Sequence, residues 1–528
     1  MPDEKGLVDA ALKMASPELF RRNAFRLLGL PAGASQQQVT RRRQELALEA
    51  KLGGGEDGGG AAGMVLPVVP PPDEDALREA ARRLRDPEGR FLDELFWPWP
   101  LRAGAGPDEG LLALEHGDVQ GAIAAWELAS ETPEGGVASH NLAVVYHLMV
   151  LDIECLGERE ALSKAQVKQK QAYWLRAVGF WRKVCDDDGF WAAATARAQR
   201  LRDPRLDGEA VAALRAGLPE VLLGINARLA ARAAQAKNAG EARWHADLVR
   251  GANLAAEAAE RALVAAAGPA RDAVKALCAA SDQKVEAAPG QGGAAAGSLM
   301  DAAVAPLAVL DALLPPDHQV LAAVRDEIVL KVLHLQIAYA KATDDWALSL
   351  ELLKRALSLA RGSEAKKRLG ENITIVENNL RLSQCWFCGK RPAEDSAAVH
   401  VSMCKVTGRI PIPGGTRVQY QKVRAAVPRC GQCRAIHKRA KAMGCLGAAL
   451  GFILVFGGFS IVSSTDGWWE WVGLALTGLG LVGGAVVAGA GSRSARRSGT
   501  KPEASKMDSP GIKKLKADGF VVGDSPAN

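Results

Sequence analysis

The sequence predicts a mostly α-helical protein with a small β module and a hairpin of two membrane-spanning helices near its C-terminal end. Three observations predict this fold class. Aromatic residues make up only 5% of the chain and alanine dominates its middle part, which favours packed helices over sheets. Two long apolar runs follow each other near the end. Two Cys-x-x-Cys pairs flank a stretch of alternating residues just before those runs.

The composition excludes several classes of protein. A chain of 528 residues is too long for one compact domain, and its 48% apolar and 24% charged residues exclude a mainly disordered protein. A net charge of +6 is too small to indicate a nucleic-acid partner by itself. Nine cysteines in this length do not form a disulfide scaffold. The polar, acidic start of the chain has no apolar core behind it, so no cleavable signal is expected.

The two apolar runs, within residues 442–491, predict the transmembrane hairpin. Ala442–Val462 holds no charged residue, and Trp468–Gly491 holds only Glu470, near its start. About 20 helical residues cross the hydrocarbon layer, and the short Ser463–Gly467 connection makes the two helices antiparallel. A pair of buried core helices is the alternative. Gly-x-x-x-Gly spacing predicts close helix contact in each run, at Gly447 and Gly451 and at Gly480 and Gly484.

The charges beside these runs predict their orientation. The connection contains Asp466 and no basic residue, and three tryptophans cluster where the second run begins. Basic residues flank the outer ends of the hairpin: Lys438, Arg439, Lys441, Arg493, Arg496, Arg497 and Lys501. Positive flanks stay in the cytoplasm, so we expect a multi-pass protein of the plasma membrane with both termini cytoplasmic. Because no charged pair lies within the spans, a transport path is not expected.

The N-terminal part, residues 20–96, predicts a small helical unit. NAFRLLGL leads through PAGAS into a helix from Gln36 to about Leu52, and a further amphipathic helix spans Asp73–Leu95. This order resembles the J-domain of co-chaperones that serve DnaK-type chaperones. The whole chain resembles a bacterial-type, membrane-anchored J-domain-like protein. The residues that match the family's motifs are Leu28, Gly29, Leu30, Ala34, Ser35, Leu84, Asp86, Pro87 and Arg90. A helical hairpin that matches by chance is the alternative.

One departure from the J-domain pattern affects the expected function. The family carries a His-Pro-Asp tripeptide between its second and third helices, and this contact stimulates the chaperone's ATPase. Here Lys51–Gly60 reads KLGGGEDGGG, and no histidine precedes His116. The resemblance therefore implies a degenerate J-like fold that is kept as an interaction module without ATPase stimulation.

Residues 108–382 predict a helical-repeat body. Gly110 and Ala143 lie about one tetratricopeptide repeat apart, where such repeats place small residues. Ala122, Trp126 and Ala129 suit the following helix, so this part resembles tetratricopeptide-like hairpins in an α-solenoid, with a weaker copy at Ile337–Ala360. A flexible coil linker is expected at Glu286–Gly297. Five aromatic residues at helical spacings are expected as packing anchors rather than a ligand site: Trp174, Phe180, Trp181, Phe190 and Trp191.

Residues 383–440 contain the sharpest chemical signal. Cys385, Cys388, Cys430 and Cys433 form two Cys-x-x-Cys turns, which together provide a closed tetrahedral site for a structural zinc ion. The intervening residues alternate like strands, and the segment resembles a zinc ribbon with an enlarged insert. A redox pair is the alternative. His437, His400 and Cys404 are reserve ligands, and His437 is the best of them because it lies about one helical turn beyond Cys433.

The last segment, residues 492–528, is predicted as a cytosolic tail. Ser492–Ser509 is basic and rich in small residues, so we expect it to be disordered. Pro510–Pro526 has a pattern for one short amphipathic helix and a turn around Ile512, Leu515 and Phe520. It could lie on the membrane, dock on the zinc module or remain a free tail.

Together these features predict a membrane-anchored cytosolic adaptor or co-chaperone-like protein that binds other proteins through its helical modules. The alternative is a membrane-tethered zinc-ribbon protein that binds nucleic acid or handles metal, since basic residues surround the cysteines. Anionic lipid headgroups beside the module explain these basic residues better, so a nucleic-acid partner is not expected. No enzyme is expected, because phosphate-loop, zinc-protease and nucleophile-elbow motifs are missing.

Overall fold

The structure is a computed structural model, and it describes residues 6–51, 66–101, 108–132, 135–412, 415–464, 467–497 and 499–525. Its described part is mostly α-helical with one small sheet, as the sequence predicts. The helices before the sheet are α1 (Gly6–Met14), α2 (Ala24–Leu28), α3 (Gln36–Lys51), α4 (Glu74–Arg83), α5 (Pro87–Leu95), α6 (Glu109–Glu115), α7 (Val119–Ser130), α8 (Gly136–Gly157), α9 (Lys164–Asp186), α10 (Asp188–Arg200), α11 (Gly208–Gln235), α12 (Ala239–Gly251), α13 (Ala256–Ala287), α14 (Gly292–Ala302), α15 (Val304–Leu313), α16 (Gln319–Thr343), α17 (Trp346–Leu359) and α18 (Ser363–Ser383).

The sheet and the remaining helices follow α18. The sheet contains β1 (Val399–Ile412), β2 (Gly415–Val427) and β3 (Val521–Val522), in the order β2-β1-β3 and antiparallel throughout. The helices are α19 (Gly431–Ser464), α20 (Trp468–Arg497) and α21 (Pro510–Ala517). The chain divides into two compact units. The first comprises Met1–Glu286, Ala295–Lys331 and Ala360–Gly362, and the second comprises Ala287–Ala294, Val332–Leu359 and Ser363–Asn528.

The predicted helix over Asp73–Leu95 is two helices in the structure, α4 and α5. Asp86 causes the break, because its backbone is extended and its side chain accepts a hydrogen bond from the Gly89 N–H at 2.9 Å, which caps α5. Pro87 follows at the first helical position, where its missing N–H removes no helical hydrogen bond. The acidic and proline residues of the J-like motif therefore start a new helix.

The described residues of the predicted domain 20–96 share one hydrophobic core with the helical body. Phe20 contacts His147, Phe96 contacts Trp181 and Trp99 stacks on Phe190, and the five Phe and Trp rings belong to that core. The guanidinium of Arg26 is 1% exposed and pairs with Asp152 of α8 at 2.5 Å. The sequence patterns did not predict the helix α1, which packs on α11. The two helices are so close that a Cβ added at Gly217 of α11 would lie 2.8 Å from the side chain of Val8. The N-terminal helices and the helical body thus form one packed unit.

The helices α6, α7 and α8 form the region that resembles tetratricopeptide-like hairpins. Gly110 of α6 lies directly against Trp126 of α7, since a Cβ at Gly110 would lie 2.3 Å from the indole nitrogen. A small residue is therefore required at this predicted position. Trp174, Phe180, Trp181, Phe190 and Trp191 are all buried, in agreement with packing anchors. These contacts explain the local pattern without identifying a repeat family.

The linker predicted at Glu286–Gly297 is helical instead. α13 continues to Ala287, a single 3-10 turn covers Pro289–Gln291, and α14 begins at Gly292. The glycines serve close packing, because a Cβ at Gly292 would lie 2.4 Å from the carbonyl oxygen of Leu335. A Gly- and Ala-rich composition here indicates tight helix contact rather than a coil.

Four described helical segments are long and apolar enough to span a membrane: Gly136–Gly157, Gly208–Gln235, Pro289–Leu313 and Gly431–Ser463. They differ in burial. The apolar window of Gly136–Gly157 is 72% buried inside the protein, whereas that of Gly431–Ser463 is only 17% buried. α19 and α20 are antiparallel and closely packed. A Cβ at Gly480 would lie 2.9 Å from the Gly451 carbonyl oxygen, and Gly458 and Gly473 approach each other equally closely, a second contact that the sequence analysis missed.

Candidate metal centre

The first cysteine turn, Cys385–Gly389, is held by backbone hydrogen bonds. The N–H of Gly389 donates to the carbonyl oxygen of Cys385 at 2.8 Å, and the N–H of Cys385 donates to that of Arg391 at 2.8 Å. Gly389 has a φ of 64°, in the left-handed region that favours glycine. This tight turn brings the thiols of Cys385 and Cys388 to the same side.

The second cysteine turn lies at the N-terminal end of α19. Cys430 directly precedes the helix and Cys433 lies in its first turn, where the N–H of Arg434 donates to the Cys430 carbonyl oxygen at 3.0 Å. The N–H of Gly431 donates to the Glu394 carboxylate at 2.9 Å, which fixes the turn against the chain before β1. The helix that leads into the first predicted span therefore begins within the metal site.

The structure brings the four predicted cysteines together. The ligand atoms of Cys385, Cys388, Cys430 and Cys433 all lie within 4.8 Å of one another, and the sulfurs of Cys388 and Cys430 are 4.0 Å apart. A tetrahedral zinc ion with Zn–S bonds of about 2.3 Å requires sulfurs about 3.8 Å apart. Four thiols at this spacing fit zinc, and the mostly buried, four-sulfur set offers no open position for a substrate.

Hydrogen bonds to the sulfurs make the four thiols unequal. Burial opposes ionisation of Cys388, but the N–H groups of Lys390 and Arg391 donate to its sulfur and lower its pKa to about 7. Burial raises the pKa of Cys385 and Cys433, which lie closer to the centre of the module. A divalent cation would favour the thiolate form of all four cysteines, so metal binding would release protons.

The three reserve ligands lie outside this group. The Nε2 of His437 is 3.0 Å from the carbonyl oxygen of Lys501, and its ring packs edge-on against Phe387 at 4.6 Å. His400 is exposed on β1, and Cys404 is buried in the same strand beside β3. In the described part of the chain, the four-sulfur group is formed by the two Cys-x-x-Cys turns.

The segment after α20 covers the four-cysteine group, so the predicted disorder of Ser492–Ser509 is wrong for Thr500–Ser509. The Thr500 hydroxyl lies 3.8 Å from the Cys433 sulfur, and the N–H of Lys501 donates to the Phe387 carbonyl oxygen at 2.8 Å. The Trp386 indole donates to the Ser505 carbonyl oxygen at 3.0 Å. These backbone contacts order a segment whose composition alone indicates a free chain.

The last described residues complete the module, which selects one of the three possibilities for the tail. Ile512 of α21 and Phe520 are buried in one small core with Phe387 and Met403. β3 pairs with Met403 and Cys404 of β1, and Lys405 donates to the Asp518 carbonyl oxygen at 2.6 Å. The amphipathic spacing of Ile512, Leu515 and Phe520 made α21 predictable from the sequence. β3 was not predictable, because a strand of two residues has no recognisable sequence pattern.

A second cluster of possible metal ligands lies in the first unit. Glu154, Glu241 and His245 have ligand atoms within 4.8 Å of one another. The ammonium of Lys170 already pairs with both carboxylates, lying 3.2 Å from Glu154. The Trp174 indole also donates to Glu154 at 2.8 Å. Because Lys170 supplies the positive charge, this cluster is an ion-pair network that joins α8, α9 and α12.

His245 makes this network sensitive to pH. Burial alone lowers its pKa, but the hydrogen bonds and charges of Glu154 and Glu241 outweigh burial and raise it above the ordinary 6.5. The stabilisation is therefore complete below the ordinary pKa and is lost as the pH rises through the raised one. We expect His245→Gln to lower the unfolding free energy by about 1–3 kcal/mol near pH 6 and by less near pH 9.

Thermal unfolding of both proteins across this pH range measures the effect. Asp247→Asn on the exposed face of the same helix is the control, and it should show no such pH dependence. An equal loss for His245→Gln at both ends of the range would contradict a charged His245.

Comparison with known proteins adds no identification: no family model matches the chain, and neither a curated protein nor a solved structure is found as a match. The function is therefore argued from the contacts of the chain itself.

Proposed function

We propose that this protein is a membrane-anchored cytosolic adaptor whose helical body binds other proteins and whose zinc-stabilised module holds it on a transmembrane hairpin. The observation that supports this most directly is the return of the tail to the metal module, the small domain formed by Cys385–Cys433 and Thr500–Val522. Cys433 lies in the first turn of α19, which contains the first proposed span, and Thr500 follows α20, which contains the second. Both ends of the hairpin are tied to one small domain.

This arrangement supports the proposed topology. Residues before α19 and residues after α20 share one hydrophobic core, so both must lie on the same side of the membrane. An even number of spans satisfies this condition, and the basic residues at both outer ends favour the cytoplasmic side. Reduced cysteines that bind zinc also fit a cytoplasmic location.

The surface of the first unit supports a role in protein binding. Leu128 of α7 and Leu175 of α9 are 78% and 63% exposed, and they flank the ion pair between Glu127 and Arg176. Large apolar side chains around a polar pair are typical of protein interfaces. The J-like motif at Leu28–Ser35 and Leu84–Arg90 is proposed as part of this body. Its loop between helices, which lacks His-Pro-Asp, lies outside the described residues.

Site-specific cross-linking in intact cells tests the adaptor role. A photoreactive benzoylphenylalanine at position 128 or 175 should give one discrete cross-linked protein. This protein should co-purify with the wild type and not with the double variant Leu128→Glu, Leu175→Glu. The same photoreactive residue at the exposed position Lys168 is the matched control on α9. Equal cross-linking from all three positions, or none from 128 and 175, would contradict a binding surface here.

One observation favours the second candidate function, nucleic-acid binding by the zinc module. The hairpin of β1 and β2 contains five lysine and arginine residues and no acidic residue between Val399 and Val427, and Tyr420 in the middle of β2, opposite Val406, is 44% exposed. Binding of this kind weakens steeply with salt. RNA or DNA that binds the purified protein in low salt, and is lost on Arg409→Gln with Arg417→Gln, would support this candidate over the adaptor.

A further inference from the structure

The metal module borders a cavity of about 590 Å³. It lies between the end of α18, the first cysteine turn and the start of α21, and its lining includes Arg381, Gln384, Trp386, Lys501, Gly511 and Lys514. This volume is in the range of small-molecule sites. The cavity is built within the second unit from three separate parts of the chain.

The charge of the lining has a single sign. Arg381, Lys501 and Lys514 all line the cavity, and its lining contains no aspartate or glutamate. Neighbouring cations do pair with carboxylates, for example Lys513 with Asp508 at 3.8 Å. Among the residues that the structure describes, the three cavity cations have no carboxylate partner. Three unpaired positive charges around one cavity favour an anion inside it.

The central cation is held in place by the metal module. The N–H of Lys501 donates to the Phe387 carbonyl oxygen at 2.8 Å, and its own carbonyl oxygen lies 3.0 Å from the His437 ring nitrogen. Its ammonium lies over the Trp386 ring, 3.6 Å from the ring centre. A cation fixed on an aromatic ring loses less side-chain freedom when it binds an anion.

The first turn of α21 adds one backbone donor to the same cavity, the N–H of Gly511, and the helix has no side-chain cap at its N-terminal end. Pro510 also lines the cavity but has no N–H, and the N–H of Ser509 donates to the Lys506 carbonyl oxygen at 3.2 Å. Free N–H groups at the start of a helix bind phosphate and carboxylate groups well. The lining also contains the neutral polar residues Asn378 and Gln384, and an apolar part formed by Leu382, Ala426 and Pro428 beside Trp386. The cavity therefore combines an anion site with an apolar wall.

We propose that this cavity is a binding site for a phosphate-bearing ligand with an apolar portion. The phosphate lies between Arg381, Lys501 and Lys514, and the apolar portion lies against Trp386 and Pro428. A soluble phosphate ester and an anionic phospholipid headgroup share this chemistry. About ten helical residues separate the cysteine turn from the apolar part of α19, which is about 15 Å and exceeds the headgroup layer. This distance favours a soluble ester.

Calorimetric titration of the full-length zinc protein in phosphatidylcholine nanodiscs tests the site, with 1-naphthyl phosphate as the probe. We expect saturable binding that Arg381→Gln with Lys514→Gln weakens about tenfold or more, because each removed charge is worth a charged hydrogen bond. Lys513→Gln with Lys516→Gln removes the same net charge from α21 outside the cavity, and it should leave the affinity within about twofold. Neutral 1-naphthol should not bind.

The outcomes separate the possibilities. Equal weakening by the two double variants, or no binding of naphthyl phosphate to the wild type, would overturn the proposal. Zinc content and thermal unfolding confirm that each variant is folded, and the single variant Lys514→Gln replaces the double one if that fails. Nanodiscs with phosphatidylglycerol distinguish the ligand's source: competition with the probe supports a headgroup, and unchanged affinity supports a soluble ester.

Discussion

We expect Cys433→Ser to abolish zinc binding by the purified protein and to release the C-terminal tail from the β module. Cys433 is a fully buried member of the four-sulfur group, and the Thr500 hydroxyl lies 3.8 Å from its sulfur. Losing one ligand removes metal-linked folding energy of several kcal/mol from a module with only a small core. Metal analysis should fall from about one zinc per chain to none. Limited proteolysis should then cut the tail between residues 500 and 525.

Cys404→Ser is the matched control for this prediction. Cys404 is equally buried in the same module, but it lies in β1 outside the four-sulfur group. Its replacement should keep the zinc ion and the protected tail. Wild-type protein that holds no zinc under reducing conditions, and forms disulfides between the cysteines on oxidation, would instead favour redox chemistry.

The second large effect concerns the N-terminal helices, which we expect not to fold as the isolated fragment 1–100. In the full chain, Phe96, Trp99 and Phe20 pack on rings from α8, α9 and α10, and Asp152 of α8 neutralises the buried Arg26. The fragment lacks these partners, so its aromatic side chains would be exposed to water, and each would lose about 2–3 kcal/mol of burial, a large part of the stability of a small domain.

Circular dichroism and amide exchange measure this expectation. Fragment 1–100 should show little helix and no protected amides, whereas the fragment 1–343, which ends with α16, should be helical and protected. A cooperatively folded fragment 1–100 would contradict the single core and favour an independent J-like domain. The result therefore decides whether the J-like motif is a domain or a helical part of a larger body.

The sequence predicted features that depend on local spacing. Three patterns indicate their structure from neighbouring residues alone: the Cys-x-x-Cys turns, the alternation between Val399 and Val427, and the long uncharged runs. The four cysteines of the candidate metal site could be predicted because each turn places two thiols together whatever the rest of the chain does. The close contact of Gly480 with α19 was predictable for the same reason.

Features that depend on distant partners could not be predicted. The composition of Thr500–Ser509 predicted a free chain. The segment is ordered by hydrogen bonds to Phe387 and Trp386, which are distant in sequence and leave no trace in its composition. Glu286–Gly297 read as a linker, since nothing local shows that a glycine faces the backbone of another helix. The ion pairs of Lys170 with Glu154 and Glu241 join helices far apart in sequence, so only the fold reveals them.

The return of the tail to the metal module has a consequence for biosynthesis. The core of the module contains Phe387 from before α19 and Ile512 from after α20, so in the proposed membrane hairpin it cannot close until both helices have been made and inserted. A chain with only α19 across the bilayer would leave Ile512 and Phe520 on the far side and their apolar partners uncovered. Proteases that remove incompletely folded proteins would recognise that state. In the proposed hairpin, membrane insertion is thus coupled to the folding of a domain outside the membrane.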